Sequence, residues 1–408
     1  MRPLEQAQAD VLNTMPRMGS ETVAIAESLG RVLHAPAIAQ TLVPPFPNSA
    51  MDGFAVQAAD LTGATVTLPV NEDVPAGTVP TMAVTSGTVT RIMTGAPMPD
   101  GADAVVPIEN TESTDRSHVT FTGAVSPGTN VRPAGGDVSP GDVVVEAGVR
   151  LTARHLASLA SVGVSPVVAK MPIIALMSTG DEVVEPEVAQ LGPGMIRDTN
   201  RVLLRGVLTD LGVPYVDLGI IGDDVDELRS AYRHAAEIGD AIISTGGVSM
   251  GDFDFVKQIL GETGSVEFWR VAMQPGKPFA FGSVSGVPLF GLPGNPVSTF
   301  VSFEQMVRPA LLHMMGARNV FRPRITGVMG EDVETTADRD VFLRVLLAES
   351  SDGSFVAVRS GEQGSNVLSA LSMADAFAIV PRGVSRLSAG ETLDIEMFSW
   401  NERRPFDG

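Results

Sequence analysis

The chain has 408 residues, 44% of them hydrophobic, a formal net charge of −20 and no cysteine. That length predicts two to four domains with sizeable cores. The missing thiols exclude disulfides, thiolate zinc sites and sulfur transfer through a protein thiol. The acidic balance argues against a nucleic-acid surface. No apolar run reaches the roughly 18 residues that cross a bilayer. Residues 1–10 are polar with two acids, unlike a signal or transit peptide, so a cytoplasmic protein with no membrane contact is expected.

Any metal must be held by oxygen or by the five histidines, and the plentiful carboxylates favour a hard ion such as magnesium. The basic residues are skewed, 25 Arg against three Lys at 170, 257 and 277, and the last two lie in Gly-rich motifs. Lys and Arg present charge differently, so a need for a compact ammonium at those positions is one reading of the skew and chance is the other.

In chain order, residues 4–15 read as a short amphipathic helix with Leu4, Val11 and Leu12 on one side. The stretch 62–132 reads as short strands (65–68, 88–93, 104–108, 119–121) with turns such as Pro99-Asp100-Gly101 between them. Residues 151–163 read as a helix ending at Gly163. From about 171, strands at 173–177, 213–218, 240–244 and 266–271 alternate with helices at 200–211, 225–238 and 254–260, the first capped by Thr199 or Asn200. A hairpin pair at 279–281 and 287–290 follows, then a long helix over 296–315 with Pro in its first turn. This alternation predicts an α/β unit with a doubly wound, mostly parallel sheet. From about 319 short strands and turns return, predicting a separate small β domain.

In such a sheet, ligands bind beyond the carboxyl ends of the strands. The five junctions there are Ser178 to Glu182, Gly222 to Asp224, Ser244 to Asp254, Gln274 to Pro278 and Gly291 to Pro296, each with Gly beside polar or ionisable residues. In the third, Gly246, Gly247 and Gly251 let backbone N–H groups face an anion, Ser249 adds a hydroxyl, and a helix from Asp254 adds a positive dipole end. A phosphate cradle and a plain tight turn fit this segment equally well. Neither G-x-x-x-x-G-K-[ST] nor G-x-G-x-x-G occurs, which argues against a standard NTPase or dehydrogenase. Asp181, Glu182, Asp223, Asp224, Asp252 and Asp254 at this rim could hold magnesium with phosphate oxygens, although each alone reads as a cap or loop acid. Lys277, between Pro275-Gly276 and Pro278, offers a positive charge on a stiffened backbone.

Seven motifs in order, PPFPNSAMDGFAV, IMTGAPMPDGADAVV, NVRPAGGDV, STGDEVV, STGGVSMGDFDFVK, PGKPFAFG and GLPGNPVSTFVSFE, resemble the molybdopterin molybdenumtransferase family, which includes MoeA and the E domains of gephyrin and plant Cnx proteins. The resemblance covers residues 1 to about 395. It implies a discontinuous elongated N-terminal domain (1–39 and 137–170), a β-rich lid (40–136), a MogA-like molybdopterin-binding α/β domain (171–318) and a C-terminal β-barrel (319–408). It also implies a homodimer with the site at the subunit interface, and contact with molybdopterin adenylyltransferase. The implied reaction takes adenylylated molybdopterin and molybdate with Mg2+, releases AMP and leaves molybdenum on the dithiolene.

By the same resemblance, Asp52 and Thr94 reach the site from the lid, and Glu182, Ser249, Asp254 and Lys277 complete the catalytic set. Asp52, Glu182 and Asp254 are the implied metal ligands. Arg132, Asp137, Asp223, Gly246, Gly247, Gly251, Gln274, Pro293 and Pro296 are implied substrate contacts, with Arg344 and Ser369 from the C-terminal domain at an oxyanion site. The chain departs from the family at Gln274, where many members carry Lys, so the pocket has one formal charge fewer; Arg270 could compensate. Two rival readings are a non-catalytic molybdopterin-binding scaffold and a molybdopterin adenylyltransferase. Retention of the acids and Lys277 opposes the first, and the partner region 1–170 opposes the second.

Overall fold

The computed structural model describes residues 1–112, 116–246 and 264–399. The first helix, Leu4–Thr14, buries Leu4, Ala7 and Val11, the three- and four-residue spacing that keeps side chains on one face. Its apolar face joins the core of the α/β unit beside Ile174, Phe303 and Met314.

The chain then runs out and back along itself. Ser20–Thr22 pairs antiparallel with Val167–Ala169, Ala37–Ile38 with Val143–Val145, and Asn48–Ser49 with Val131–Arg132. Everything between the outgoing and returning limbs is therefore an insertion. It holds a six-stranded sheet in the order Ala104–Pro107, Gly53–Val56, Val89–Ile92, Val66–Val74, His118–Phe121, Thr111–Glu112. Phe54, Leu68, Val89 and Phe121 fill its core. The expected strands at 65–68 and 119–121 form, the first extended to Val74. The helix ending at Gly163 spans Ala153–Val162, and Gly163 takes the left-handed cap conformation that glycine adopts without a Cβ clash.

The α/β unit contains β1 (Ile174–Thr179), β2 (Tyr215–Ile221), β3 (Ala241–Thr245), β4 (Gly264–Arg270), β5 (Pro278–Val284) and β6 (Val287–Leu292), in spatial order β2-β1-β3-β6-β5-β4. The pairings β1–β2, β1–β3 and β3–β6 are parallel, whereas β5–β6 and β4–β5 are antiparallel. The sheet is thus mixed at one edge, because the hairpin at Ser285-Gly286 reverses the chain. Two successive reversals restore direction: β4 runs parallel to β6. The loop from Arg270 to Pro278 consequently returns to the same carboxyl edge as the loops after β1, β2, β3 and β6.

Helices Thr199–Leu211 and Val225–Ile238 cover the sheet. The first is capped by Asp198, whose carboxylate accepts the Arg201 N–H at 2.9 Å, and not by Thr199 or Asn200 as the sequence predicts. Sequence does not single out Asp198 because three good capping residues, Asp198, Thr199 and Asn200, stand in a row. The long helix over 296–315 forms as Pro296–Ser302, a π segment Phe303–Val307 and Arg308–Met314. At the π segment the Gln305 carbonyl accepts from Gln8 Nε2 at 3.0 Å, tying the first helix to it.

The C-terminal strands close on themselves. Asp340–Glu349 pairs with Phe355–Arg359, that with Arg324–Met329, that with Thr392–Met397, that with Ala376–Val380, and that again with Asp340–Glu349. This closed ring is the expected barrel, and closure removes exposed edges. Met273–Gln274 adds to its Asp340 end, which joins the barrel to the α/β sheet.

Candidate functional site

The chain leaves β1 toward β2 on one side and enters β3 on the other, so a crevice opens beyond the ends of β1 and β3. Gly246 sits there at φ +92°, and a Cβ on it would lie 2.3 Å from the Thr179 carbonyl oxygen. Only glycine fits. Asn200, which the sequence marked only as a possible cap, braces the crevice. Its amide donates to Thr245 Oγ1 at 2.8 Å and to the Gly294 carbonyl at 2.7 Å. Thr245 and Thr299 hydroxyls both donate to the Pro293 carbonyl, at 3.2 and 2.6 Å. Thr179 Oγ1 and Asn200 Oδ1 are buried there without a hydrogen-bond partner among the described residues, polar capacity a ligand could use. Gly247, Ser249, Gly251 and Asp254, with the helix expected at 254–260, lie outside the described residues.

Next to this crevice a cavity of about 580 Å³ separates the α/β unit from the barrel. One wall carries Glu182, Gln274, Lys277 and Pro293, and the other Arg339, Gln363, Gly364 and Ser365. Gly276 turns the loop that presents Lys277 at φ +104°, with Met273 Cε and Ser302 Oγ each 2.9 Å from where a Cβ would stand. The two walls are latched: Asn295 Nδ2 donates to Ser365 Oγ at 3.0 Å and the Val297 N–H to the Ser365 carbonyl at 3.2 Å. Pro296 opens the helix behind this latch.

Arg344 lies under the second wall. It is only 1% exposed, and its guanidinium donates to the carbonyls of Glu362 and Gly364 at 3.0 and 3.1 Å. Its Nε has no partner among the described residues, and burial alone pushes its pKa down to about 10. Arg344 therefore remains a cation at neutral pH, and its bonds go to carbonyls of the loop that forms the cavity wall. Ser369 is exposed on the helix Leu368–Met373 and does not line the cavity.

The rim acids divide by role. Glu182 reaches the cavity. Asp223 does not: its carboxylate accepts the Asp181 N–H at 3.3 Å, while Asp181 accepts the Asp223 N–H at 3.0 Å. Asp224 is a helix cap, accepting from the Asp226 and Glu227 N–H groups. Among the described residues no group of three or more carboxylate or imidazole side chains is placed to hold a metal.

The three N-terminal motifs meet one another elsewhere. Asp52 accepts from Thr94, whose bonds hold its carboxyl below the usual range. The Gly95 N–H donates to the Ser49 carbonyl at 2.8 Å, and Ala50 N–H to Asn130 O at 2.9 Å. Arg132 stands opposite Asn48 in the ribbon, and the Asp137 N–H donates to Val43 O at 2.9 Å. Asp52 and Thr94 touch in this second region, Arg132 and Asp137 lie on the adjoining ribbon, and none of the four lines the Lys277 cavity of the same chain.

Comparison with known proteins is consistent across the whole length. Three family profiles match in order: the MoeA N-terminal region (domain I and II) over residues 2–163, a probable molybdopterin binding domain over 175–313, and the MoeA C-terminal region (domain IV) over 326–398. The chain is 36% identical to a molybdopterin molybdenumtransferase of Haemophilus influenzae, covering 98% of this chain and 99% of that one. It is 35% identical to molybdopterin molybdenumtransferase 2 of Mycobacterium tuberculosis, with 97% and 99% covered. Two crystal structures of a molybdopterin biosynthesis MoeA protein from Pyrococcus horikoshii superpose with TM-scores of 0.79 and 0.84, at 31% and 27% identity; each covers 98% of this chain, against 99% and 100% of theirs.

Proposed function

The chain belongs to the MoeA family of molybdopterin molybdenumtransferases, and we propose that it inserts molybdate into adenylylated molybdopterin with release of AMP, completing the molybdenum cofactor. The observation that carries this reading is the cavity itself. In a chain of net charge −20, the lining cations Lys277 and Arg339 outnumber the one described lining acid, Glu182, the Gln274 amide joins them, and the buried cation Arg344 stands behind one wall. Local positive charge of this kind selects an anion.

Placement and motif together support a division of labour. The pterin phosphate is assigned, by its motif, to the Gly-rich segment that follows Gly246, whose own N–H is already given to the Leu292 carbonyl. The adjoining cavity takes the oxyanion, with the Lys277 ammonium and the Gln274 amide as donors. Asp52 and Thr94 complete the site from the lid of a second subunit, so the active form is a homodimer. Ser249 and Asp254 belong to the same set by their motif. Since the chain has no cysteine, the sulfur ligands of molybdenum come from the substrate, and the protein's contribution is positioning and electrostatics.

Magnesium fits only in one mode. No all-protein cage exists among the described residues, but a single cavity carboxylate, Glu182, suits an ion shared with substrate phosphates and water. Glu182 and the lid's Asp52 would hold it, with Asp254 by motif. When bound it would offset charge developing on the phosphoanhydride.

The protein acts in the cytoplasm and receives its substrate from molybdopterin adenylyltransferase. Among the described residues no helix is long and apolar enough to cross a membrane. The test mixes purified protein with adenylylated molybdopterin, molybdate and magnesium, and measures AMP release and activation of an apo-molybdoenzyme. AMP release that depends on molybdate is the expected result. Pterin binding without turnover would instead make the chain a scaffold, and conversion of free molybdopterin with ATP would make it an adenylyltransferase.

A further inference from the structure

We propose that Arg339 is a second cation of the oxyanion pocket, held by Asp338 until a tetrahedral dianion takes its place. The inference rests on the reading of the Lys277 cavity as an anion site. It adds a residue that none of the seven sequence motifs contains.

Arg339 lines the same cavity as Lys277 and Gln274. Backbone pairing puts it there. Met273 stands opposite Asp340 and Gln274 opposite Val341 in parallel register, and the Asp340 N–H donates to the Ala272 carbonyl at 3.0 Å. The strand that enters the barrel at Asp340 thus carries the preceding residue, Arg339, to the wall beside Gln274. The turn before it also orients the glutamine: the Thr336 hydroxyl donates to Gln274 Oε1 at 3.4 Å, so the amide NH2 is the end left to donate.

The Arg339 side chain is 19% exposed, against 49% for its partner Asp338. Nε and Nη2 of Arg339 engage both oxygens of the Asp338 carboxylate, at 2.7 and 2.8 Å. This is the fork geometry in which guanidinium groups bind planar pairs of oxygens. Two oxygens of molybdate or phosphate present a similar fork with twice the charge. A half-exposed carboxylate on the adjacent residue is a weak holder, because water screens the pair. Among the described lining residues, Glu182 is the one acid, set against Lys277 and Arg339. Exchange of Asp338 for the dianion would bring the Arg339 charge fully to bear beside the uncharged Gln274.

Calorimetric titration of the folded full-length protein with sodium molybdate, and separately with inorganic phosphate, tests this. Arg339→Gln is expected to weaken binding roughly 10- to 100-fold, and Arg339→Lys by less. Asp338→Asn is expected to tighten it several-fold, since the competing carboxylate is gone. Both Arg339→Gln and Asp338→Asn break the same ion pair, so opposite signs separate an electrostatic role from a structural one. An effect confined to one of the two anions supports the proposal and identifies which anion the pocket takes. Equal affinity of wild type and Arg339→Gln for both anions, while Lys277→Gln loses binding, overturns the proposal and leaves the anion-site reading standing. A wild-type protein that binds neither anion overturns both.

Discussion

The Asp52 carboxylate takes both of its described hydrogen bonds from a single residue: Thr94 donates its backbone N–H and its hydroxyl to the same oxygen, each at 2.7 Å. Two donors on one oxygen favour the charged form, which is why the Asp52 carboxyl lies below its ordinary range. Thr94→Val removes one donor, so the pKa should rise toward the usual value and the acid limb of the pH–rate profile should move to higher pH. Asp52→Asn should reduce turnover by about 100-fold or more with the fold intact. Full activity of Asp52→Asn would remove this residue from the site.

Gln274 supplies a dipole where a charge would be stronger. Two unit charges about 4 Å apart interact by roughly 4 kcal/mol at an effective dielectric near 20, and water entering an open cavity reduces that. Gln274→Lys should therefore lower the KM for molybdate by about tenfold and leave the KM for the pterin unchanged. Steady-state kinetics with each substrate varied separately would show it.

Gly246→Ala forces a side chain against the Thr179 carbonyl, 2.3 Å away, at a positive φ. Neither β1 nor β3 can yield without disturbing the pairing of Ser178 with Thr245. A loss of about 2–4 kcal/mol is expected, read as a shift of the urea midpoint, with activity falling along with it.

Arg344 is a buried cation bonded to carbonyls, with no carboxylate partner described. Its pKa is lowered to about 10, so from about pH 10 up to the ordinary arginine value the unfolded chain holds the proton more tightly than the folded one. The group therefore adds stability as pH rises through that window and disfavours folding at neutral pH. Arg344→Met fills the space without the charge, and its thermal midpoint should stay within a few degrees of wild type. Molybdate-dependent turnover should nevertheless fall by about 100-fold or more. A large drop in midpoint with normal turnover would make Arg344 structural only.

Glu396 is 3% exposed and accepts from Gln305 Nε2 at 2.7 Å. Burial raises its pKa above 4.5, against the opposing effects of Gln305, Arg324 and Arg322. A raised carboxyl pKa contributes stability that is fully present below the unfolded value and is lost as pH rises through the folded one. Glu396→Gln carries no such dependence. The stability of wild type relative to this variant should thus decline as pH rises above 4.5, measurable by urea unfolding on either side of that pH. A constant difference would contradict the burial argument.

Much of this architecture was legible in the residues because its signals are local. The helix Val225–Ile238 forms at its predicted bounds, since apolar spacing and a preceding Asp are read within one or two turns. The loops carrying Gly246, Lys277 and Pro293 were legible for the same reason: turn chemistry is written in adjacent residues. The family itself was also visible, in seven motifs in order. What tertiary structure alone decided is which of these residues share a space. Two antiparallel reversals, not a parallel crossover, return Gln274 to Pro278 to the binding edge. Asp223 and Asp224 are consumed by backbone N–H groups, and Asp52 with Thr94 stands at a locus apart from Lys277. Arg339 enters the cavity by a strand pairing with Met273 and Gln274, more than 60 residues earlier in the chain. Periodicity constrains neighbours a few residues apart, but strand register and domain contact depend on pairings over long separations, which no local pattern encodes.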